Sequence, residues 1–178
     1  SAVGGYVIQL AKQRGIKTVN VVRREGLAED LMAKGADVVL IDGPDLAAQI
    51  ALATDSAPVV LALDPVGGET FTRLADSLGY GGTIVTYGVL SGQPSSLNTG
   101  KIIFNDISIR GFWLYKWYQS ADMKTKQAAF GQVIPLVAQG VLKANVDSRF
   151  SVDQIKQAVT RAAERGRNGK VLIVPNAL

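Results

Sequence analysis

Apolar positions recur along this chain with two alternating periods, one helical and one extended. Val3, Val7, Leu10 and Ala11 fall at i, i+4, i+7 and i+8, which predicts an apolar stripe on a helix that Gly15 can end. Residues 18–22 read as a short strand, residues 27–34 as a helix closed by Gly35, and residues 37–41 as a buried strand of Val, Leu and Ile. Asp42-Gly43-Pro44 turns the chain, and Asp45 is expected to cap a helix through residue 54. A strand over 58–63 follows, then a helix over 69–78 that Gly79-Tyr80-Gly81-Gly82 stops, and a strand over 83–86. A polar loop over 91–98 leads towards a strand over 107–114. Beyond it lies a helix over 122–140, with Gln127, Phe130, Ile134 and Val137 near one face and Pro135 as a kink. Ser151 with Gln154 makes a capping box for a helix over 152–165, Gly166 ends it, and residues 171–174 form a last strand.

Strands alternating with helices at this spacing imply an α/β fold, a Rossmann-like doubly wound parallel sheet. The sequence opens inside a small-residue turn, so the first strand of that sheet is expected to be missing. In the order 3-2-1-4-5-6, loss of strand 1 would split the sheet between strands 2 and 4 and leave two unpaired apolar edges. The chain is therefore expected to be part of a longer protein, held by the remainder or by another chain. The tail is expected to leave the βα rhythm and cross back to another domain, which sets a boundary between residues 1–115 and 116–178.

Candidate chemistry gathers at expected strand ends. Ser1 and Gly4 leave room for a pyrophosphate to approach N–H groups at a helix N-terminus, where the macrodipole favours anions. About 20 residues past such a turn, a Rossmann site places an acid for the NAD ribose or an Arg for the 2′-phosphate of NADP. Arg23 and Arg24 hold that position, and two guanidiniums without a preceding carboxylate favour NADPH. The loop at 64–68 either touches the cofactor or only turns the chain. Tyr87 and Gly88 either wall the nicotinamide or make an ordinary turn. Phe112, Trp113 and Leu114 suit a pocket wall, Trp117 and Tyr118 an interface or core, and Lys170 is a candidate third cation for the phosphate.

Composition narrows the choice. The 178 residues are 47% apolar and 19% charged, as for an ordinary globular core, and no apolar run reaches the roughly 20 residues of a membrane span. The chain has no His and no Cys, which excludes disulfides, the usual zinc ligands, a Ser-His-Asp triad and histidine acid/base chemistry within it. Net charge is +4, yet the basic residues are scattered and no nucleic-acid motif accompanies them, so neither nucleic acid nor membrane is expected as a partner. Compartment stays open between bacterial cytoplasm and mitochondrial matrix.

SAVGGYVIQLAK, NVVRRE, DPVGGE, GGTIVTYGVLSGQP, IFNDISIRGFWL and GKVLIV, in this order and spacing, resemble the zinc-independent medium-chain dehydrogenase/reductases, in particular the 2-enoyl thioester (trans-2-enoyl-CoA) reductase group. The likeness covers nearly the whole chain. TYG followed by RGFWL carries most of the specificity, while the opening turn and GKVLIV are shared with quinone reductases. The resemblance implies NADPH contacts at Ser1, Ala2, Val3 and Gly4, at Arg23 and Arg24, at Tyr87, Gly88, Val89 and Leu90, at Phe112, Trp113 and Leu114, and at Lys170. One departure, Arg-Arg-Glu where members often carry Arg-Asp-Arg, leaves a contact at Glu25 open. The resemblance also implies no metal, a homodimer, and an amino-terminal GroES-like catalytic domain, absent from this sequence, to which residues 116–178 would return and which holds the tyrosine proton donor. No catalytic residue is assigned here, Tyr87 and Tyr115 being the local candidates. The expected reaction is NADPH-dependent reduction of the C=C bond of a 2-enoyl thioester; a quinone or enone reductase, a non-catalytic NADPH-binding module and a methyltransferase are the rivals.

Overall fold

The computed structural model describes residues 2–164, 166–167 and 169–175. In chain order its elements are α1 (Ala2–Gln13), β1 (Val19–Val22), α2 (Ala28–Ala33), β2 (Val38–Ile41), α3 (Leu46–Ala53), β3 (Val59–Asp64), α4 (Gly68–Asp76), β4 (Leu78–Thr86), α5 (Thr99–Asn105), β5 (Ser108–Gly111), α6 (Leu114–Ser120), α7 (Met123–Ala138), β6 (Val146–Ser151), α8 (Ile155–Ala163) and β7 (Lys170–Val174). They divide into two compact units, one of Val19–Met32 with Asp37–Gln127, the other of Ser1–Thr18, Ala33–Ala36 and Ala128–Leu178.

All strand pairing in the first unit is parallel: β1 with β2, from Val19↔Val38 to Val22↔Ile41, and separately β3–β4–β5, through Asp64↔Thr86 and Thr86↔Gly111. Mapped onto the Rossmann order, β2-β1 are strands 3-2 and β3-β4-β5 are strands 4-5-6, so the break falls where strand 1 belongs. The apolar edge this leaves is visible on β3, where Val60 is 64% and Leu61 53% exposed. Ala62 of the same strand belongs to the core. Phe71 and Ala75, one turn apart on α4, meet Ala62, Leu78, Ile84 and Ile107. Fully burying Phe71, Leu78 or Ile84 contributes roughly 1.5–3 kcal/mol each relative to exposure. Asp42, just past β2, accepts hydrogen bonds from Thr70 Oγ1 at 2.5 Å and Arg73 Nη1 at 3.1 Å, which ties the two-stranded piece to α4.

In the second unit β6 and β7 pair in parallel from Val146↔Lys170 to Ser151↔Val174, with α8 between them in sequence. Asp147 on β6 receives both Nε (2.8 Å) and Nη2 (2.7 Å) of Arg161 from α8. Gly169 is required at the start of β7, since a Cβ there would lie 2.5 Å from the Asn145 carbonyl oxygen. The tail therefore keeps the βα rhythm, contrary to expectation. Residues 146–151, VDSRFS, carry too many polar side chains to read as a strand, and only the partner strand reveals them.

Several expected elements shift. The buried face of α1 is Gly5, Ile8 and Ala11; of the expected stripe only Ala11 is buried, and Val3 is exposed. Asp45 makes no side-chain cap at α3. Gly79, Tyr80, Gly81 and Gly82 do not precede β4 but bulge within it, between the pairs Val59↔Leu78 and Leu61↔Thr83. The strand expected over 107–114 stops at Gly111, and α6 takes up Leu114. Helix α5 was not expected; Asn98 caps it by accepting from the Lys101 N–H at 3.2 Å.

Candidate functional site

Every β-strand of the first unit runs parallel to its neighbours, so side chains just beyond their carboxyl ends are the ones a ligand of such a sheet meets. Four of the sequence-predicted segments stand there: Arg23 and Arg24 after β1, residues 64–68 after β3, Tyr87, Gly88, Val89 and Leu90 after β4, and Phe112, Trp113 and Leu114 after β5.

Arg23 and Arg24 are exposed, and neither has an ion-pair partner among the described residues. Two bare guanidiniums on a loop after a strand suit a phosphate dianion, which each can grip through paired N–H groups. Glu25 beside them is exposed as well.

The segments after β3 and β4 are bound to each other. Asp64, the last residue of β3, is fully buried; its Oδ1 accepts from the Val66 N–H at 2.8 Å and the Gly67 N–H at 3.1 Å, its Oδ2 from Thr86 Oγ1 at 3.2 Å. Its carbonyl accepts from the Tyr87 N–H (2.9 Å), that of Pro65 from the Leu90 N–H (3.2 Å) and that of Val66 from the Ser91 N–H (2.8 Å). Gly88 packs so close that a Cβ would lie 2.6 Å from the Pro65 oxygen. Burial first, and then the Asp64 charge, push the Tyr87 phenol above its ordinary pKa, so it keeps its proton at neutral pH. Phe112 joins the same rim through its N–H, 2.9 Å from the Thr86 carbonyl, and the Trp113 and Tyr115 rings lie 5.2 Å apart. Val89, Leu90, Trp113 and Leu114 are all more than 60% exposed, an apolar surface beside a polar backbone rim.

The remaining predicted residues lie in the other unit. Ala2, Val3 and Gly4 form the first turn of α1 rather than a turn ahead of it. Ser1 lies outside the described residues. Lys170 opens β7, exposed, with its N–H on the Asn145 carbonyl at 2.8 Å. The part of Asp64 escaped the sequence reading; an Asp at a strand end followed by Pro-x-Gly-Gly is the signal that could have found it.

The model of the zinc-binding dehydrogenase family matches residues 2–137. The chain belongs to that family. It is the medium-chain dehydrogenase/reductase domain that the parallel sheet and its rim describe. With no His or Cys in the sequence, and no cluster of acidic residues able to hold a metal among the described ones, nothing in this family domain supplies the usual zinc ligands. It is 35% identical to a mitochondrial enoyl-[acyl-carrier-protein] reductase of Dictyostelium discoideum, over 97% of this chain and 51% of that protein. Among solved structures it superimposes on the complex of Etr1p with NADP and crotonyl-CoA with a TM-score of 0.81 at 27% identity, covering 98% of this chain and 51% of that one. A Bacillus thuringiensis structure assigned as an NADPH:quinone reductase gives 0.80 at 26% identity, over 96% and 52%. The chain thus spans about half the length of the proteins it matches.

Proposed function

We propose that this family domain is the cofactor-binding part of an NADPH-dependent oxidoreductase that reduces the C=C bond of a 2-enoyl thioester. The observation that carries the reading is the exposed, unpaired Arg23–Arg24 at the carboxyl end of β1, the position from which a Rossmann domain selects between NAD and NADP. In this reading Arg23 and Arg24 hold the 2′-phosphate. The first turn of α1, with Ala2, Val3 and Gly4, together with Ser1, which precedes them in sequence, receives the pyrophosphate, and Lys170 adds a cation. Tyr87, Gly88, Val89 and Leu90 with Phe112, Trp113 and Leu114 orient the nicotinamide and exclude water from one side of it. Bound NADPH would supply the hydride for the β carbon of the enoyl group.

This chain contributes binding and orientation; we assign no proton donor within it. We propose residues 1–115 as the nucleotide-binding domain and 116–178 as the part that returns to a catalytic domain in the whole protein, which acts as a homodimer. The mitochondrial relatives favour the mitochondrial matrix over a bacterial cytoplasm. A second reading, reduction of a quinone or enone, is favoured by the Bacillus thuringiensis neighbour and shares every cofactor contact. Steady-state turnover of the full-length protein with crotonyl-CoA and with a small quinone decides between them: a higher kcat/KM for the quinone rejects the thioester reading.

A further inference from the structure

Asp64 is the one fully buried charged side chain among the described residues, and no cation lies against it. A carboxylate taken out of water without a cation is costly unless hydrogen bonds replace its hydration. Here the donors are the N–H groups of Val66 and Gly67, in the loop between β3 and α4, and the hydroxyl of Thr86 at the end of the neighbouring strand β4. The Gly67 N–H lies 3.1 Å from both carboxylate oxygens, so it is shared between them. The Thr86 hydroxyl is shared too, between Asp64 Oδ2 at 3.2 Å and the Gly88 carbonyl at 3.4 Å. The Asp64, Pro65 and Val66 carbonyls then receive the Tyr87, Leu90 and Ser91 N–H groups in sequence. One charge therefore fixes the loop after β3, and that loop in turn fixes the backbone of residues 87–91.

We infer that Asp64 is the positioning residue of the nicotinamide rim: its carboxylate, through Thr86 and the 64–68 loop, holds residues 87–90 in the single conformation that receives the nicotinamide end of the cofactor. This rests on the reading above that places the nicotinamide at those residues. A rim held by charge-assisted hydrogen bonds is set before the ligand arrives, so little reorganisation accompanies binding. Asp64→Asn keeps the shape but offers one acceptor oxygen where the carboxylate had two. Thr86→Val removes the hydroxyl with little change of volume, and Thr86→Ser restores it.

The test measures the full-length protein with two probes: NADPH, which occupies both ends of the site, and adenosine 2′,5′-bisphosphate, which carries the phosphates of the adenine end but no nicotinamide. Both dissociation constants are taken for wild type, Asp64→Asn, Thr86→Val and Thr86→Ser, with melting temperature and kcat alongside. Asp64→Asn and Thr86→Val are expected to weaken NADPH on the order of tenfold and to lower kcat by between about ten- and a hundredfold. Binding of the bisphosphate should not change, and Thr86→Ser should behave as wild type. Equal weakening of both probes, or unchanged NADPH binding and kcat, overturns the positioning role. If Asp64→Asn does not fold, the Thr86 pair decides by the same criteria. A wild-type protein that binds neither probe instead defeats the cofactor reading on which the inference stands.

Discussion

Arg73 of α4 meets Asp42, one residue past β2, with Nη1 3.1 Å from Oδ1, although 31 residues separate them. Asp42 also accepts from Thr70 Oγ1, so α4 grips the end of β2 at two points one turn apart. Within the first unit these bonds join a two-stranded piece to a three-stranded one with no ladder between them. The Asp42 side chain is 10% exposed and that of Arg73 24%, a partly buried pair whose disruption leaves polar groups short of partners.

Asp42→Ala is therefore expected to destabilise the protein by about 2 kcal/mol, read from the urea midpoint at constant m-value. A midpoint within error of wild type would mean that the two pieces are held by packing alone.

Replacing Arg23 and Arg24 together by Ala should weaken NADPH binding by about 1–3 kcal/mol for each charge-assisted hydrogen bond removed and leave NADH nearly unchanged. Titration of both cofactors by fluorescence measures it. Equal weakening of the two would show that the guanidiniums do not read the 2′-phosphate.

Gly88→Ala forces a Cβ to 2.6 Å from the Pro65 carbonyl oxygen, a backbone atom with no rotamer to give way. A destabilisation of about 1–3 kcal/mol is expected, with weaker NADPH binding. Gly131, exposed inside α7, has nothing within 4 Å of its Cβ position, so Gly131→Ala should stabilise by about 0.5–1 kcal/mol through helix propensity. Thermal melts of the pair in parallel check both, since opposite signs are required.

The raised pKa of Tyr87 has a direction in pH. Its neutral phenol is favoured in the folded state, so the associated stability is complete below about pH 10, the unfolded value, and disappears as pH climbs through the higher folded value. Urea midpoints between about pH 8 and pH 11.5 should fall less steeply for Tyr87→Phe than for wild type. Parallel curves would indicate that the phenol is as solvated as in the unfolded chain.

The class of fold was legible because helical and extended periods alternate within windows of a few residues: β1, β2, α4 and the strand segment 83–86 lie close to where their apolar positions place them. The arginine pair was legible for the same reason, as its place follows from counting one βα step along the chain. Where a segment's polarity conflicts with its neighbours' demands, local reading fails. Residues 146–151 are a strand because β7 supplies their hydrogen-bond partners, and Gly79, Tyr80, Gly81 and Gly82 join β4 as a bulge because Leu78 on one side and Thr83 on the other pair with β3.

By itself, then, the sequence determined the alternation of elements, the parallel sheet it implies, the place in the strand order where the ladder is interrupted, and the absence of histidine and cysteine chemistry. Tertiary structure alone decided which side chains close the rim. Asp64 finds Thr86 22 residues away and Asp42 finds Arg73 31 residues away. Periodicity records only which face of its own element a residue occupies. Which distant donor meets a buried carboxylate is set when the elements pack, because a charge removed from water must take whatever donors the closed fold brings to it.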